Sequence, residues 1–519
     1  MTPMTDRATD AAPAPDAEAD AAPAGAAEAR PDILVVGAGF SGLAFAMEAR
    51  RRGLGEVTIL EKAGEIGGAW RENTYPGVAC DVPSHLYGFA DHPNPDWSRV
   101  YAGGAEIQRH LHDVVAREGL RPLIRFHRTF RAAGWDAEAR RWRVETEEGE
   151  RFAPRVLVAA LGPLHVPLIP DLPGRESFEG PAFHTAEWRH DLDLAGKRVA
   201  VIGSGASAVQ LVPEIARTAA QVSVLQRTPP YVIPRRDRPF APWMRALHRA
   251  LPILPRLRRR LIFETLEAQH AVFRGRPLAV RLALRRWRRH MEAAIADPAL
   301  RAAVTPDHRI GCKRILSSDD WYPALARPNV ELIPEGAAAL RPRAVVSASG
   351  REVPADVVVH ATGFHVTDVL PRLDIRGAGG VSLAERFETG IRAHLGTALA
   401  GFPNLFLALG PNTGLGHNSV VLMIEAQAKH VARVLAAMRA EGLDAVAPRP
   451  EREAAFAEEM RTRLAASVWQ SGGCRSWYQD AAGGNPTLWP GTVREFQRRL
   501  AAAGLEEYAP APRPEPAPP

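Results

Sequence analysis

The sequence predicts an α/β chain with two Rossmann-like dinucleotide-binding domains, one inserted into the other. Two glycine fingerprints, each between apolar runs, and two apolar runs far downstream that end at glycines carry this prediction. The 519 residues suffice for two or three domains with a sizeable core. A first domain over 31–165 and 361–508 is expected, with a second over 166–360 between its two parts.

The first element in order is a tail. Residues 1–30 are mostly Ala, Pro, Asp and Glu, too poor in large apolar groups to fold, and predict disorder. They lack the apolar stretch of a signal peptide, and their acids do not suit a transit peptide. Then Asp32-Ile-Leu-Val-Val runs into Gly37, Gly39 and Gly42, a GxGxxG. A helical stretch to Arg52 follows, and a second strand, Val57-Thr-Ile-Leu, ends in Glu61. Such glycines let a pyrophosphate approach a helix N-terminus, where N–H groups and the dipole favour an anion. Glu61 is positioned to hold a ribose through its hydroxyls. Ile66-Gly-Gly-Ala-Trp70, including Gly68, permits a second close backbone approach to a long cofactor.

The pattern repeats at Val199-Ala-Val-Ile, followed by Gly203, Ser204, Gly205, Ser207 and Ala208. Arg227, next to Thr228, lies 24 residues after Gly203, as Glu61 lies 24 after Gly37. An acid there accepts from a free 2′-hydroxyl, whereas an arginine pairs with a 2′-phosphate. The second unit therefore suits NADPH. FAD is the natural candidate for the first, as a bound acceptor of the hydride. Asp356–Phe364 and Leu405–Asn412 are read as returning to complete the first sheet.

Between Arg245 and Arg289 stand thirteen arginines and two acids, Glu264 and Glu267, interleaved with leucines. A pair of basic amphipathic helices is expected, within an insertion at about 240–300. A solvated insertion is the favoured reading, and a peripheral membrane contact the alternative. The uncharged stretch Ala393–Ile424 is broken by Gly401-Phe-Pro-Asn404 and Gly410-Pro-Asn412, which suits a strand, a turn and a helix start. Residues 509–519 are expected to fray. Net charge is +6, too mild to imply nucleic acid. Cys80, Cys312 and Cys474 show no metal-ligand spacing. They predict no disulfide, no metal site and a cytoplasmic location.

Together these fingerprints, Gly-Gly-Ala-Trp70, Ala361-Thr-Gly363 and an FxGxxxHxxxW stretch at Phe178, Gly180, His184 and Trp188 resemble class B flavin monooxygenases. The likeness is to the Baeyer–Villiger monooxygenases, from about Asp32 to Leu500. After the tryptophan, where that family usually has Pro or Asp, this chain has Arg189. The resemblance implies FAD and NADPH as cofactors, with O₂ and a small ketone as substrates. It implies a C4a-peroxyflavin that inserts oxygen beside the carbonyl to give an ester or lactone. It places an active-site acid at Asp81, the catalytic arginine at Arg314, an NADP-phosphate contact at Lys313 and a flavin contact at Tyr87. Phe178 to Trp188 is read as a joint between the domains, with His184 structural. The alternatives are an N- or S-oxygenase on the same flavin and a non-catalytic flavoprotein redox sensor. A dithiol reductase needs a redox-active cysteine pair, which three scattered cysteines do not suggest.

Overall fold

The computed structural model describes residues 28–512, and the expectations for residues 1–27 and 513–519 lie outside it. One parallel sheet contains, in spatial order, Leu405–Leu407, Val156–Ala159, Ile33–Val36, Val57–Leu60 and Ile124–Arg125. Ile33 faces both Val57 and Val156. All four residues of Ile33–Val36 and of Val156–Ala159 are buried, as a parallel sheet covered on both faces requires. Helix Phe40–Arg51 follows the first glycine turn and packs against helix Val420–Ala440.

The second parallel sheet orders Val330–Ile333, Gln221–Leu225, Arg198–Ile202, Val357–His360 and Ala182–His184. Two expectations change here. Val357–His360 completes this second sheet, not the first, and only Leu405–Leu407 returns to the first. The stretch read as a joint contributes an edge strand, Ala182–His184, that pairs with Val357–His360. Three residues are too few to show a period, so the sequence hides the strand.

Two small sheets accompany the parallel ones. Phe130–Asp136, Arg141–Thr146 and Arg151–Phe152 form an antiparallel meander, joined in parallel by Asp374–Arg376. Ala337–Arg341, Ala344–Ser347 and Glu352–Pro354 form another meander.

The basic insertion is three helices, Pro242–Ala250, Ile253–Phe273 and Pro277–Ala294, where a pair was expected. Pro252 and Pro277 each sit at a helix start, where the missing N–H costs nothing, and they divide the segment. The ends are also more ordered than expected. The Ala29 N–H donates to the Arg151 carbonyl at 3.1 Å, and Tyr508–Pro510 pairs with Val446–Pro448. Among the described residues, no helix is long and apolar enough to cross a membrane.

Cys312 and Cys474 form a disulfide, with Cα atoms 6.1 Å apart, and Cys80 is free and buried. This corrects the expectation of unpaired thiols. The partners stand 162 residues apart, so their approach depends on tertiary packing that spacing does not encode.

Burial lowers the pKa of His184, His360, His394 and His430 to about 4. Unfolding returns each to about 6.5, so the unfolded chain takes up protons that the native chain refuses. Stability is full above about pH 6.5 and falls as pH drops towards 4, by roughly 3 kcal/mol per histidine at the lower end. Urea midpoints should therefore fall between pH 7.5 and pH 5, and a constant midpoint would disprove this account.

Candidate active site

The first glycine turn is shaped by close approach. Gly37 has φ +105°, and a Cβ there would lie 2.6 Å from the Ala160 carbonyl oxygen. A Cβ on Gly42 would lie 1.9 Å from the Gly37 carbonyl oxygen. Gly39 meets the second glycine pair: a Cβ on Gly68 would stand 3.2 Å from the Gly39 Cα. The Gly67 N–H donates to the Ala38 carbonyl at 3.1 Å, so the two glycine turns form one surface. The helix opens at Gly39 with no side-chain cap, which leaves its positive end free for a phosphate. Glu61 is buried at the mouth of the turn and accepts from the N–H groups of Ala38 at 2.9 Å and Ala63 at 3.0 Å. Trp70 Nε1 donates to Tyr87 Oη at 3.0 Å, and the Tyr87 ring packs 5.3 Å from Phe40 at the helix start. Burial holds the Tyr87 hydroxyl well above its usual pKa. An uncapped helix, two touching glycine turns and a fixed acid suit an adenosine diphosphate group.

The second turn copies the first. Gly203 has φ +115°, and a Cβ there would meet the Ala361 carbonyl oxygen at 2.4 Å. Gly205 begins helix Ala206–Ile215, again without a side-chain cap, and a Cβ there would face open space. Ser204 Oγ donates to the Thr228 carbonyl at 3.1 Å, Ser207 lies beside the Tyr75 hydroxyl, and Ala208 is fully buried. Arg227 is exposed at the strand end, with Lys313 near enough for their charges to interact. Burial, with Arg227 adding to it, lowers the Lys313 pKa. Two cations converge on this turn, as a 2′-phosphate needs.

Arg314 reaches Asp81 across 233 residues. Its Nε and Nη2 both donate to Asp81 Oδ2, at 2.9 and 2.6 Å. Each side chain is 29 % exposed, so the pair borders open space rather than closing on itself. The Asp81 carboxylate raises the Arg314 pKa further above its ordinary value, which fixes the guanidinium as a cation.

Over residues 30–270 the chain matches the family model described as flavin-binding monooxygenase-like. It is 46 % identical to a Baeyer–Villiger monooxygenase of Streptomyces coelicolor, over 92 % of each chain. It is 41 % identical to one of Pseudomonas aeruginosa, over 90 % of this chain and 88 % of that one. The chain belongs to the Baeyer–Villiger monooxygenase family. Among solved structures, an oxidised steroid monooxygenase bound to NADP superposes with TM-score 0.82 at 32 % identity, covering 92 % of this chain and 99 % of that one. A closed cyclohexanone monooxygenase superposes with TM-score 0.81 at 28 % identity, covering 92 % and 97 %. The two-domain α/β fold is the fold of those enzymes.

Within this Baeyer–Villiger monooxygenase, several site residues escaped the sequence reading. Gln210, on the second glycine helix, accepts from Tyr75 Oη at 2.8 Å and donates to the Ala79 carbonyl at 2.9 Å. A Cβ on Gly77 would lie 2.5 Å from the Gln210 carbonyl oxygen, so the loop bearing Asp81 sits directly on that helix. Tyr478 is fully buried against Arg314, and burial pushes its pKa up to about 12. The Cys312–Cys474 bond ties the arginine loop to the segment that carries Tyr478. Nothing in the sequence of Ser476-Trp-Tyr-Gln-Asp indicates contact with Arg314.

The Phe178–Trp188 motif of the monooxygenase stays out of the Arg314 cluster. A Cβ on Gly180 would meet the Asp356 carbonyl oxygen at 2.2 Å, and Phe178 packs under the second sheet. His184 is fully buried; its Nδ1 accepts from the Ala186 N–H at 3.1 Å and its ring packs 5.2 Å from Phe364. Trp188 packs 5.4 Å from Phe183. Arg189, the departure from the family pattern, donates twice to Asp191, at 2.8 and 2.6 Å, on the surface.

Proposed function

We propose that this chain oxidises a small ketone to an ester or lactone with NADPH and O₂, with FAD held by the first glycine turn. Gly37, Gly39, Gly42, Gly68 and Glu61 would hold the adenosine diphosphate part of FAD, with Trp70 and Tyr87 beside it. Gly203, Gly205 and Ser207 would hold the pyrophosphate of NADPH, and Arg227 with Lys313 its 2′-phosphate. When bound, the flavin supplies oxygen activation and transfer, fed by hydride from NADPH. The observation that carries the reading is the partly exposed Arg314–Asp81 pair, which neighbours Tyr87 of the first unit and is next in sequence to Lys313, a neighbour of Arg227.

The residues act by electrostatics. Negative charge collects on oxygen as a carbonyl is attacked and its carbon becomes tetrahedral. A guanidinium that cannot lose its proton stabilises that oxygen without reorganising. Asp81 accepts from Nε and Nη2 and so leaves the rest of the guanidinium fork to face the reacting atoms. Tyr478, fully buried, lies beside the same guanidinium.

Incubation with a ketone, sulfide and amine panel, with products identified by mass spectrometry, tests the reading. Esters or lactones from ketones are expected, and oxygenation confined to sulfides or amines would overturn it. Arg227→Ala should raise the KM for NADPH roughly ten- to a hundredfold, the loss of about one charge-assisted bond, and leave turnover with NADH unchanged. Steady-state kinetics with both nucleotides check this, and an equal loss with both would remove Arg227 from the phosphate site.

A further inference from the structure

Twelve large apolar side chains are exposed among the described residues, and eight of them fall between Trp243 and Leu282 in the helical insertion. Seven of these recur every fourth residue within their helices, and so share one face of each: Trp243 and Leu247, then Ile253, Leu257 and Leu261, then Leu278 and Leu282. Leu261 is 68 % exposed and Leu278 71 %. The same helices already bury another face, through Phe273 and Trp287. A solvated insertion needs one apolar stripe, and these helices carry a second with nothing over it among the described residues.

The arginines divide the same way. Arg259 is turned inward, donating to the carbonyls of Leu86 and Gly88 at 2.9 Å, and Arg249 pairs with Asp96 at 2.5 Å. Arg256, Arg260, Arg281, Arg285, Arg288 and Arg289 are exposed, and none forms an ion pair among the described residues. Leucines that project outward between unpaired cations are the chemistry of a helix lying in a bilayer interface. A second copy of this face would bring cations against cations. The complementary partner is apolar in depth and anionic at its surface. We infer that the outward faces of these three helices form a docking surface for an anionic lipid bilayer.

Sedimentation of the FAD-loaded protein with vesicles tests this without turnover, so its outcome is separate from the ketone reading. Vesicles of phosphatidylglycerol and phosphatidylcholine should carry the protein down at low salt, less so at high salt, and pure phosphatidylcholine vesicles should not. The double variant Leu257→Asp/Leu261→Asp should keep its flavin and its NADPH oxidation while its binding to the mixed vesicles drops about tenfold or more. No sedimentation with the mixed vesicles at low salt overturns the proposal. So does equal binding by the double variant, or a dimer that the variant dissociates in the absence of vesicle binding.

Discussion

Arg314→Ala is expected to bind FAD and to make no measurable ester or lactone, with a loss of about 10²–10³ or more in the oxygenation rate. The flavin binding turn is built from Gly37 to Glu61, so flavin content should survive the change. The oxyanion loses its donor, and Asp81 is left with an unpaired carboxylate in a partly buried place. Arg314→Lys separates these two effects. It restores the charge beside Asp81 but not the planar fork that serves the carboxylate and the reacting oxygen together. Its flavin content and stability should approach those of the parent while its oxygenation rate stays low. Product analysis by mass spectrometry, beside absorbance of the bound flavin, reads both. Normal ester formation by Arg314→Ala would end the assignment.

Gly42→Ala should cost the chain its flavin. The added Cβ would sit 1.9 Å from the backbone oxygen of Gly37, which no side-chain rotation relieves. The helix start must shift away from the turn that carries the phosphate, at about 1–3 kcal/mol or more. The matching position of the second turn already holds alanine, Ala208, fully buried. The demand for glycine is thus specific to the tighter first turn. The ratio of flavin to protein absorbance after purification should fall severalfold in Gly42→Ala and stay unchanged in Ala208→Gly. Full flavin content in Gly42→Ala would show that the turn is looser than its backbone geometry indicates.

The sequence disclosed what is local. Each glycine fingerprint joins a strand, a turn and a helix in continuous chain, and the acid or arginine 24 residues on closes the next strand. Glu61 accordingly accepts from Ala38 of the first turn, and Thr228, next to Arg227, accepts from Ser204 of the second. The reading weakened where partners are distant. Val357–His360 looks like any buried strand, and nothing in four apolar residues names the sheet it joins. Ala182–His184 is too short for a period, and Cys312 meets Cys474 only after both surrounding segments have packed. Gln210 faces the loop of Asp81 because Gly77 lets two backbones touch, and a lone glycine in a loop does not announce its neighbour.

That contact at Gly77 has a mechanical consequence. The loop from Tyr75 to Asp81 is covalently part of the first nucleotide unit, yet Gln210 grips it at Tyr75 and Ala79 and Arg314 holds it at Asp81. Both anchors stand on the chain segment of the second unit. In a hinge motion between the units, Asp81 would travel with the unit it is clamped to, and its peptide connection to the other would act as a tether. Such a motion would change the distance between the guanidinium and the flavin turn while leaving the Arg314–Asp81 pair intact.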